Sequence, residues 1–374
     1  MKVLVLNAGS SSLKYRLFVD EKQVAYGAVE RIGESESGIK NHMEALKVVG
    51  KRLRSSGVVG SFDSLDAVGH RVVHGGEKFT DPVLVDEKVI EALRELIPLA
   101  PLHNPANIEG ILTMRKIAPD VPQVAVFDTA FHQSMPKEAF LYAIPLELYS
   151  SYGIRRYGFH GTSHSYIFAE AAKLLGRPRE SLNVITLHLG NGASACAIEN
   201  GRSIDTSMGF TPLEGLVMGT RCGDLDPEIP LFLEEKGVDA GKILNKESGL
   251  KGLCGYNDMR EVEKSAADKS AEAQTALKIY SRRVRKYIGA YFALLGRVDA
   301  VVFTAGIGEN SPKIREMVCS GLENLGIELD MAKNRAGETD ISKDTSRSRI
   351  FVIKTDEELQ IARETEALLS DGRL

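Results

Sequence analysis

Cysteine is scarce in this 374-residue chain. Cys196, Cys222, Cys254 and Cys319 form no CxxC pair and no metal-binding spacing, which argues against a disulfide scaffold or a zinc module and leaves reduced thiols as the expectation. Charge of one sign is not in excess either: 47 Lys and Arg stand against 51 Asp and Glu, a net charge of −4. No stretch gathers the basic residues that a nucleic-acid surface needs. Charge runs such as residues 281–286 read as solvated helix faces. No run approaches the roughly 18 apolar residues of a membrane span. The chain enters a strand at once, without a basic region or a cleavable apolar segment, so a secretory signal is not expected and a cytoplasmic location is. Low-complexity linkers are missing too, so domains are expected to meet at a cleft and not to hang on a tether.

What the chain does have is an ordinary globular composition, 43% hydrophobic and 26% charged, and length enough for two domains. It also has an internal repeat. Residues 3–14 run apolar strand, polar Asn7, a turn of Gly9 and small residues, then a second strand; residues 184–195 do the same, with His188 opposite Asn7 and Gly190 opposite Gly9. Each copy runs on to a polar turn, residues 20–22 and 199–201. A single hairpin of this kind is unremarkable. Two of them point to a duplicated fold whose turn amides face one phosphate chain.

Around these hairpins the periodicity predicts helices near 41–55, 87–99, 105–117, 271–295 and 357–369. It predicts buried strands at 65–69, 123–127, 300–303 and 350–353. Arg71 and Asp128 fall at carboxyl ends of such strands, where ligands gather in α/β sheets. Residues 304–310 read as a Gly-rich loop between a strand and a helix begun by Ser311 as N-cap and Pro312 as first helical residue. Strand, Gly loop and helix form a nucleotide-binding arrangement, although the glycine spacing is weak evidence by itself.

Seven of the eight histidines lie between His70 and His188, mostly in four patches shared with Gly, Arg and Asp. The spacing matches no zinc pattern. Arginine offers a planar fork for phosphate oxygens and glycine lets the backbone come close, so the patches suit a polyanion better than a metal.

Taken together, residues 7–14, 70–76, 101–105, 127–132, 157–164, 188–192, 211–226, 303–310 and 355–358 resemble the acetokinase family of the actin, sugar-kinase and heat-shock ATPase superfamily, in the family's order and over nearly the whole chain. The resemblance implies an α/β fold of two duplicated actin-like (ribonuclease H-like) domains with an active-site cleft between them. The domains are drawn as 1–149 plus 359–374, the first closed by the C-terminal helix, and 150–358, which carries the nucleotide loops. It implies transfer of a phosphoryl group between ATP and acetate, with Mg²⁺ (Mn²⁺ as an alternative) and a homodimer, and no nucleic-acid or membrane partner.

Residue by residue, the resemblance implies that Arg71 and Arg221 hold the phosphoryl group in flight while His160 hydrogen-bonds its oxygens. Asp128 is the catalytic-site carboxylate, and Asn7 and Glu357 lie at the metal end. Lys14, His188, Gly190, Asn191 and Gly192 meet the nucleotide phosphates. Asp258, Met259 and Arg260, with Gly306, Ile307, Gly308 and Glu309, surround adenosine. Val73, Leu102, Phe159 and Pro212 form the pocket for the acetate methyl. A pocket of that kind separates acetate from propionate or butyrate by only about 1–3 kcal/mol per methylene.

Several of these residues have a structural competitor. Thr355 and Glu358 have the spacing of a capping box, and Glu357 could simply complement a helix dipole. Arg71 and Arg221 could be structural ion pairs, and Asp128 could cap the turn after its strand. The chain departs from the family pattern in having Cys222 after Arg221, where Ser is usual. A thiol there is expected to be activated by its cationic neighbour. Residues 248–258 are one residue short and carry Cys254 at a usual Ser position, and the region before His70 is trimmed.

Overall fold

The computed structural model describes residues 1–34, 36–55 and 57–370. The chain packs as two units, Met1–Gln133 with the segment from Asp356 onward, and Ser134–Thr355. The boundary precedes the expected 149/150 because the intervening segment is bonded into the second unit: Ser134 Oγ donates to the Ser203 carbonyl at 2.9 Å, and the Phe140 carbonyl accepts from the Arg156 amide at 2.7 Å. The return falls at Asp356 and not at 359 because Asp356 begins the last helix. Its carboxylate accepts from the Leu359 amide at 3.0 Å and pairs with Arg16 at 3.0 Å. Residues 371–374 of the expected first domain lie outside the described residues.

In the first unit, β1 (Lys2–Ala8), β2 (Ser12–Val19) and β3 (Lys22–Glu30) form an antiparallel meander. β4 (Ala67–Val72), β5 (Val83–Leu84) and β6 (Gln123–Phe127) complete a sheet of order β3-β2-β1-β4-β6-β5. β1, β4 and β6 run parallel. In the second unit β7 (Asn183–Leu189), β8 (Ala193–Glu199) and β9 (Arg202–Thr206) repeat the meander, and β10 (Ala300–Thr304) and β11 (Arg349–Val352) extend it in parallel, giving β9-β8-β7-β10-β11. The two sheets therefore share one topology, the duplicated actin-like α/β arrangement. The repeated hairpins of the sequence are β1–β2 and β7–β8.

The period-2 geometry of β1 explains its two coats. Leu4 and Leu6 face a core built with Leu46 and Val49 of helix His42–Ser55. Val3 and Val5 face the other side, against Ile361 and Ala362 of helix Glu357–Ser370. Gly69 of β4 lets that last helix come close, since a Cβ there would stand 2.7 Å from Thr365 Oγ1 and 2.8 Å from Ile361 Cγ2. This contact fixes where Glu357 emerges.

Two sequence expectations change here. Glu358 does not close a capping box with Thr355; it pairs with Arg16 at 3.5 Å, because Asp356 already caps the helix. Residues 305–310 are not a loop but the short helix Ala305–Asn310, held at its start by the Glu309 carboxylate, which accepts from the Ala305 amide at 2.9 Å. The following helix, Pro312–Cys319, is capped by Ser311 as expected. Helix Ala271–Leu295 likewise buries its predicted stripe, including Leu277, Val284 and Ile288. Among the described residues no helix is long and apolar enough to cross a membrane.

The last helix carries a pH test of its packing. Burial, with smaller contributions from Asp81 and Asp128, pushes the Glu364 carboxyl up to about 7. A carboxyl raised in the folded state contributes stability below its unfolded value, about 4.3, and loses it as pH rises through 7. Glu364→Gln is therefore expected to leave the melting temperature unchanged near pH 5 and to raise it relative to the parent at pH 8. Scanning calorimetry at the two pH values measures this, and an equal shift at both would contradict it.

Candidate active site

In the first unit the site grows from the ends of β4 and β6. Arg71, next to last in β4, and Asp128, the first residue after β6, are adjacent because those strands are parallel neighbours. The Arg71 guanidinium donates to both Asp128 oxygens, through Nε to Oδ1 at 3.1 Å and through Nη2 to Oδ2. This is the fork geometry that fixes an arginine's direction. Glu357 Oε2 lies 4.0 Å from Arg71 Nε. Burial first, and then Asp128 and Glu358 as like-charged neighbours, push the Glu357 carboxyl up to about 7 against the pull of Arg71. Asp128 and Glu357 stabilise charge on Arg71 more than burial opposes it, so the arginine is held above its ordinary value. Asn7 and Lys14 face each other across the β1–β2 hairpin, and Lys14 is exposed. Val73, whose amide donates to Asn107 Oδ1 at 3.0 Å, and the exposed Leu102 belong to this unit as well.

In the second unit, the β7–β8 turn carries Gly190, Asn191 and Gly192. The Gly190 amide is used within the turn, donating to the Gly192 carbonyl at 3.0 Å, as Gly9 donates to Ser12 at 2.8 Å in the other hairpin. The first turn amide is thus already engaged, contrary to the expectation that the turn amides are open to an anion. A Cβ at Gly192 would come within 2.7 Å of Arg221 Nη2 and 3.4 Å of His160 Nε2. Glycine is what allows these three residues to meet. His160 has left-handed backbone, φ 57°, at the start of helix Gly161–Leu175. Its Nδ1 is tied to Ser194 Oγ at 2.9 Å and its ring stacks on His188 with centroids 4.2 Å apart. Nε2 lies on the Gly192 side of the ring. His188 thus supports His160, with its own Nδ1 on Ser163 Oγ at 2.8 Å.

Arg221 donates through Nη1 to the Pro212 carbonyl at 2.6 Å. It has no carboxylate partner among the described residues, and burial alone lowers its pKa. The structural ion pair considered for it is absent. A desolvated cation with no counter-charge is a candidate anion site. Phe159 is buried beside His160.

The same unit has a cavity of about 710 Å³. Gly190, Asn191, Asp258, Met259, Arg260, Gly306 and Ile307, all among the residues that the resemblance assigns to the nucleotide, line it together, and so do Asn257, Glu263, Asn310 and Ser311, which the sequence reading did not single out. Glu263 is recognisable only in three dimensions, where its carboxylate accepts from Ser311 Oγ across 48 residues. Gly308 and Glu309 do not line the cavity. The Gly308 carbonyl accepts from Arg315 Nη1 at 2.8 Å, and the Glu309 carboxylate accepts from the Thr355 amide at 3.1 Å. Asp258 caps helix Met259–Ala267 and forks onto Arg260, which holds its carboxyl down to about 2.

Two further histidines are bonded into the interior. His70 donates through Nε2 to Gln123 Oε1 at 2.8 Å, and burial lowers its pKa to about 4. His164 bridges Thr186 and Ser194. Cys222 is not an activated thiol: burial pushes its pKa up, and its Sγ donates to the Gly223 carbonyl at 3.1 Å. Adjacency to Arg221 in sequence did not translate into adjacency to its charge.

A profile of the acetokinase family matches residues 2–363. The acetate kinase of Sulfurovum sp. (strain NBC37-1) is 53% identical, over 99% of this chain and 99% of its own. That of Sulfurimonas denitrificans is also 53% identical, over 99% of this chain and all of its own. In three dimensions the acetate kinase of Porphyromonas gingivalis superposes with a TM-score of 0.94 at 42% identity, covering 98% of this chain and 99% of the other. A propionate kinase from Francisella tularensis does so with 0.92 at 44%, with the same coverage. On this full-length agreement in sequence and fold, the chain belongs to the acetokinase family.

Proposed function

We propose that the chain catalyses reversible phosphoryl transfer between ATP and acetate, giving ADP and acetyl phosphate, in one in-line step without a phosphoenzyme. The observation that carries this reading is Arg221, a partly buried guanidinium without a carboxylate partner among the described residues, beside Gly192 and His160. Acetate, with a carboxyl pKa of about 4, is already ionised at neutral pH and needs no general base. It needs relief from repulsion as one anion attacks another. Arg71, Arg221 and His160 supply that relief, and positioning with electrostatics does the rest. Asp128 does not take a proton in this scheme; it aims Arg71.

Asn7, Asp128 and Glu357 suit a hard divalent cation, since they offer oxygen donors and the Glu357 carboxyl is held up by burial and then by neighbouring acids, both of which a cation would offset. When bound there, Mg²⁺ would neutralise phosphate charge on the transferred group and its neighbour. The nucleotide is assigned to the cavity lined by Gly190, Asp258 and Gly306. Val73, Leu102, Phe159 and Pro212 are assigned to the acyl group. The likeness to the Francisella propionate kinase favours propionate as a second, slower substrate. Helix Glu228–Glu235 buries none of its residues and exposes Leu231 and Phe232, each at 57%, which supports the homodimer inferred from the family. A cytoplasmic location accords with the reduced thiols.

Chiral γ-phosphoryl ATP tests the single step. Inversion at phosphorus in the acetyl phosphate is expected, as one displacement requires. Net retention would mean two displacements and a phosphoenzyme.

A further inference from the structure

The second unit has a charged cluster that none of the roles above uses. Arg156 lies three residues before Phe159 and reaches the loop that follows β9. Its Nη1 donates to the carbonyls of Thr206, Ser207 and Met208 at 3.0, 3.3 and 3.3 Å, and its Nη2 donates to Glu214 Oε1 at 2.8 Å. The other Glu214 oxygen accepts from the Tyr142 hydroxyl at 2.5 Å, and that hydroxyl oxygen in turn accepts from the Phe210 amide at 2.8 Å. One fork therefore holds both ends of residues 206–214, and Tyr142 holds the middle.

Between Phe210 and Glu214 this loop buries no apolar side chain, so directional bonds do much to set the place of that stretch. It also presses against its own tether: a Cβ at Gly209 would collide with both the Glu214 carboxylate and the Tyr142 hydroxyl. The backbone adds a link to the other wall, since the Tyr157 amide donates to the Gly209 carbonyl at 3.1 Å. Pro212 lies within the loop, and its carbonyl is the acceptor for Arg221. Burial and Glu214 keep the Tyr142 hydroxyl protonated well beyond its ordinary range, so it remains a donor.

We propose that Arg156, Glu214 and Tyr142 are positioning residues that set acid-length specificity, by fixing the Pro212 loop in register with the segment carrying Phe159. This rests on the reading of Phe159 and Pro212 as walls of the acyl pocket. Loosening the cluster widens the pocket before it alters the nucleotide site, which lies on other segments.

The test compares Tyr142→Phe, Glu214→Gln and Arg156→Lys with the parent, measuring kcat and KM for acetate, propionate and ATP by hydroxamate formation, with a melting curve for each. The propionate-to-acetate ratio of kcat/KM is expected to rise about threefold to tenfold in each variant, through the KM of the acid, with the ATP KM unchanged. The double variant of Tyr142 and Glu214 is expected to rise by less than the product of the single effects, because the two act through one bond. A ratio unchanged in Tyr142→Phe, with only the melting temperature lowered, overturns the proposal, and this variant decides the matter if Glu214→Gln does not fold. Absence of product from the parent with every acid would instead overturn the reaction itself, before specificity is at issue.

Discussion

Replacing Arg221 with alanine is expected to lower kcat by about a thousandfold, in the range seen when a cationic group is removed from a transferring phosphoryl. The melting temperature is expected to hold or rise. Both expectations come from one fact, that this guanidinium is partly buried and unpaired by any carboxylate among the described residues. An arginine placed for stability has its charge paired, as Arg349 has with Asp340, or its guanidinium fully hydrogen-bonded, as Arg315 has with Asn334 and the carbonyls of Gly308 and Glu309. Among the described residues Arg221 keeps only the Pro212 carbonyl as a hydrogen-bond partner, so under the proposed function its charge serves a ligand. Truncation removes a desolvated cation and leaves no acid stranded, the case in which folding loses little. Arg221→Lys is expected to recover part of the rate, since a point charge replaces a fork. Steady-state kinetics with thermal denaturation measures both halves. A rate within tenfold of the parent, or a large fall in melting temperature, would return Arg221 to a structural role.

Gly192→Ala is expected to lower kcat by about a hundredfold while the fold survives. Gly192 is not among the glycines with positive φ, so its backbone accepts alanine without strain. The new methyl would stand 2.7 Å from Arg221 Nη2, and that atom, the tip of a flexible side chain, is what must move. His160 at 3.4 Å is held by Ser194 and by stacking on His188, so the displacement falls mainly on Arg221. Small misplacements of this kind cost about two orders of magnitude in rate. The effect should appear in kcat, with a smaller change in ATP KM and a melting temperature within a few degrees of the parent. Activity within twofold of the parent would mean that Gly192 and Arg221 do not act on the same group.

These arguments mark how far the sequence alone carries. The duplication was legible because its carrier is local: two hairpins of the same outline, each with glycine at the turn, became β1–β2 and β7–β8. Helix Ala271–Leu295 was legible to the residue, because 25 residues of helical period leave little ambiguity. Local reading failed where a distant group decides the local structure. Residues 305–310 look like a glycine loop until the Glu309 carboxylate folds back on the Ala305 amide. Glu358 looks like a cap until Arg16, far away in sequence, takes it. Cys222 follows Arg221 in sequence, yet its surroundings raise its pKa. Glu263 and Arg156 carry no motif at all, and their importance rests on partners 48 and 58 residues away. The solitude of Arg221 is of the same kind, since a missing partner cannot be read from a string.

The most direct test of the whole account is hydroxylamine trapping of acyl phosphate from the intact protein with MgATP and acetate, propionate or butyrate in turn. The account predicts hydroxamate with each acid that is accepted, strongest with acetate and falling as the chain lengthens. Preference for a longer acid would contradict the assignment of the acyl pocket. Absence of hydroxamate with any acid, from folded protein that binds ATP, would contradict phosphoryl transfer to a carboxylate altogether.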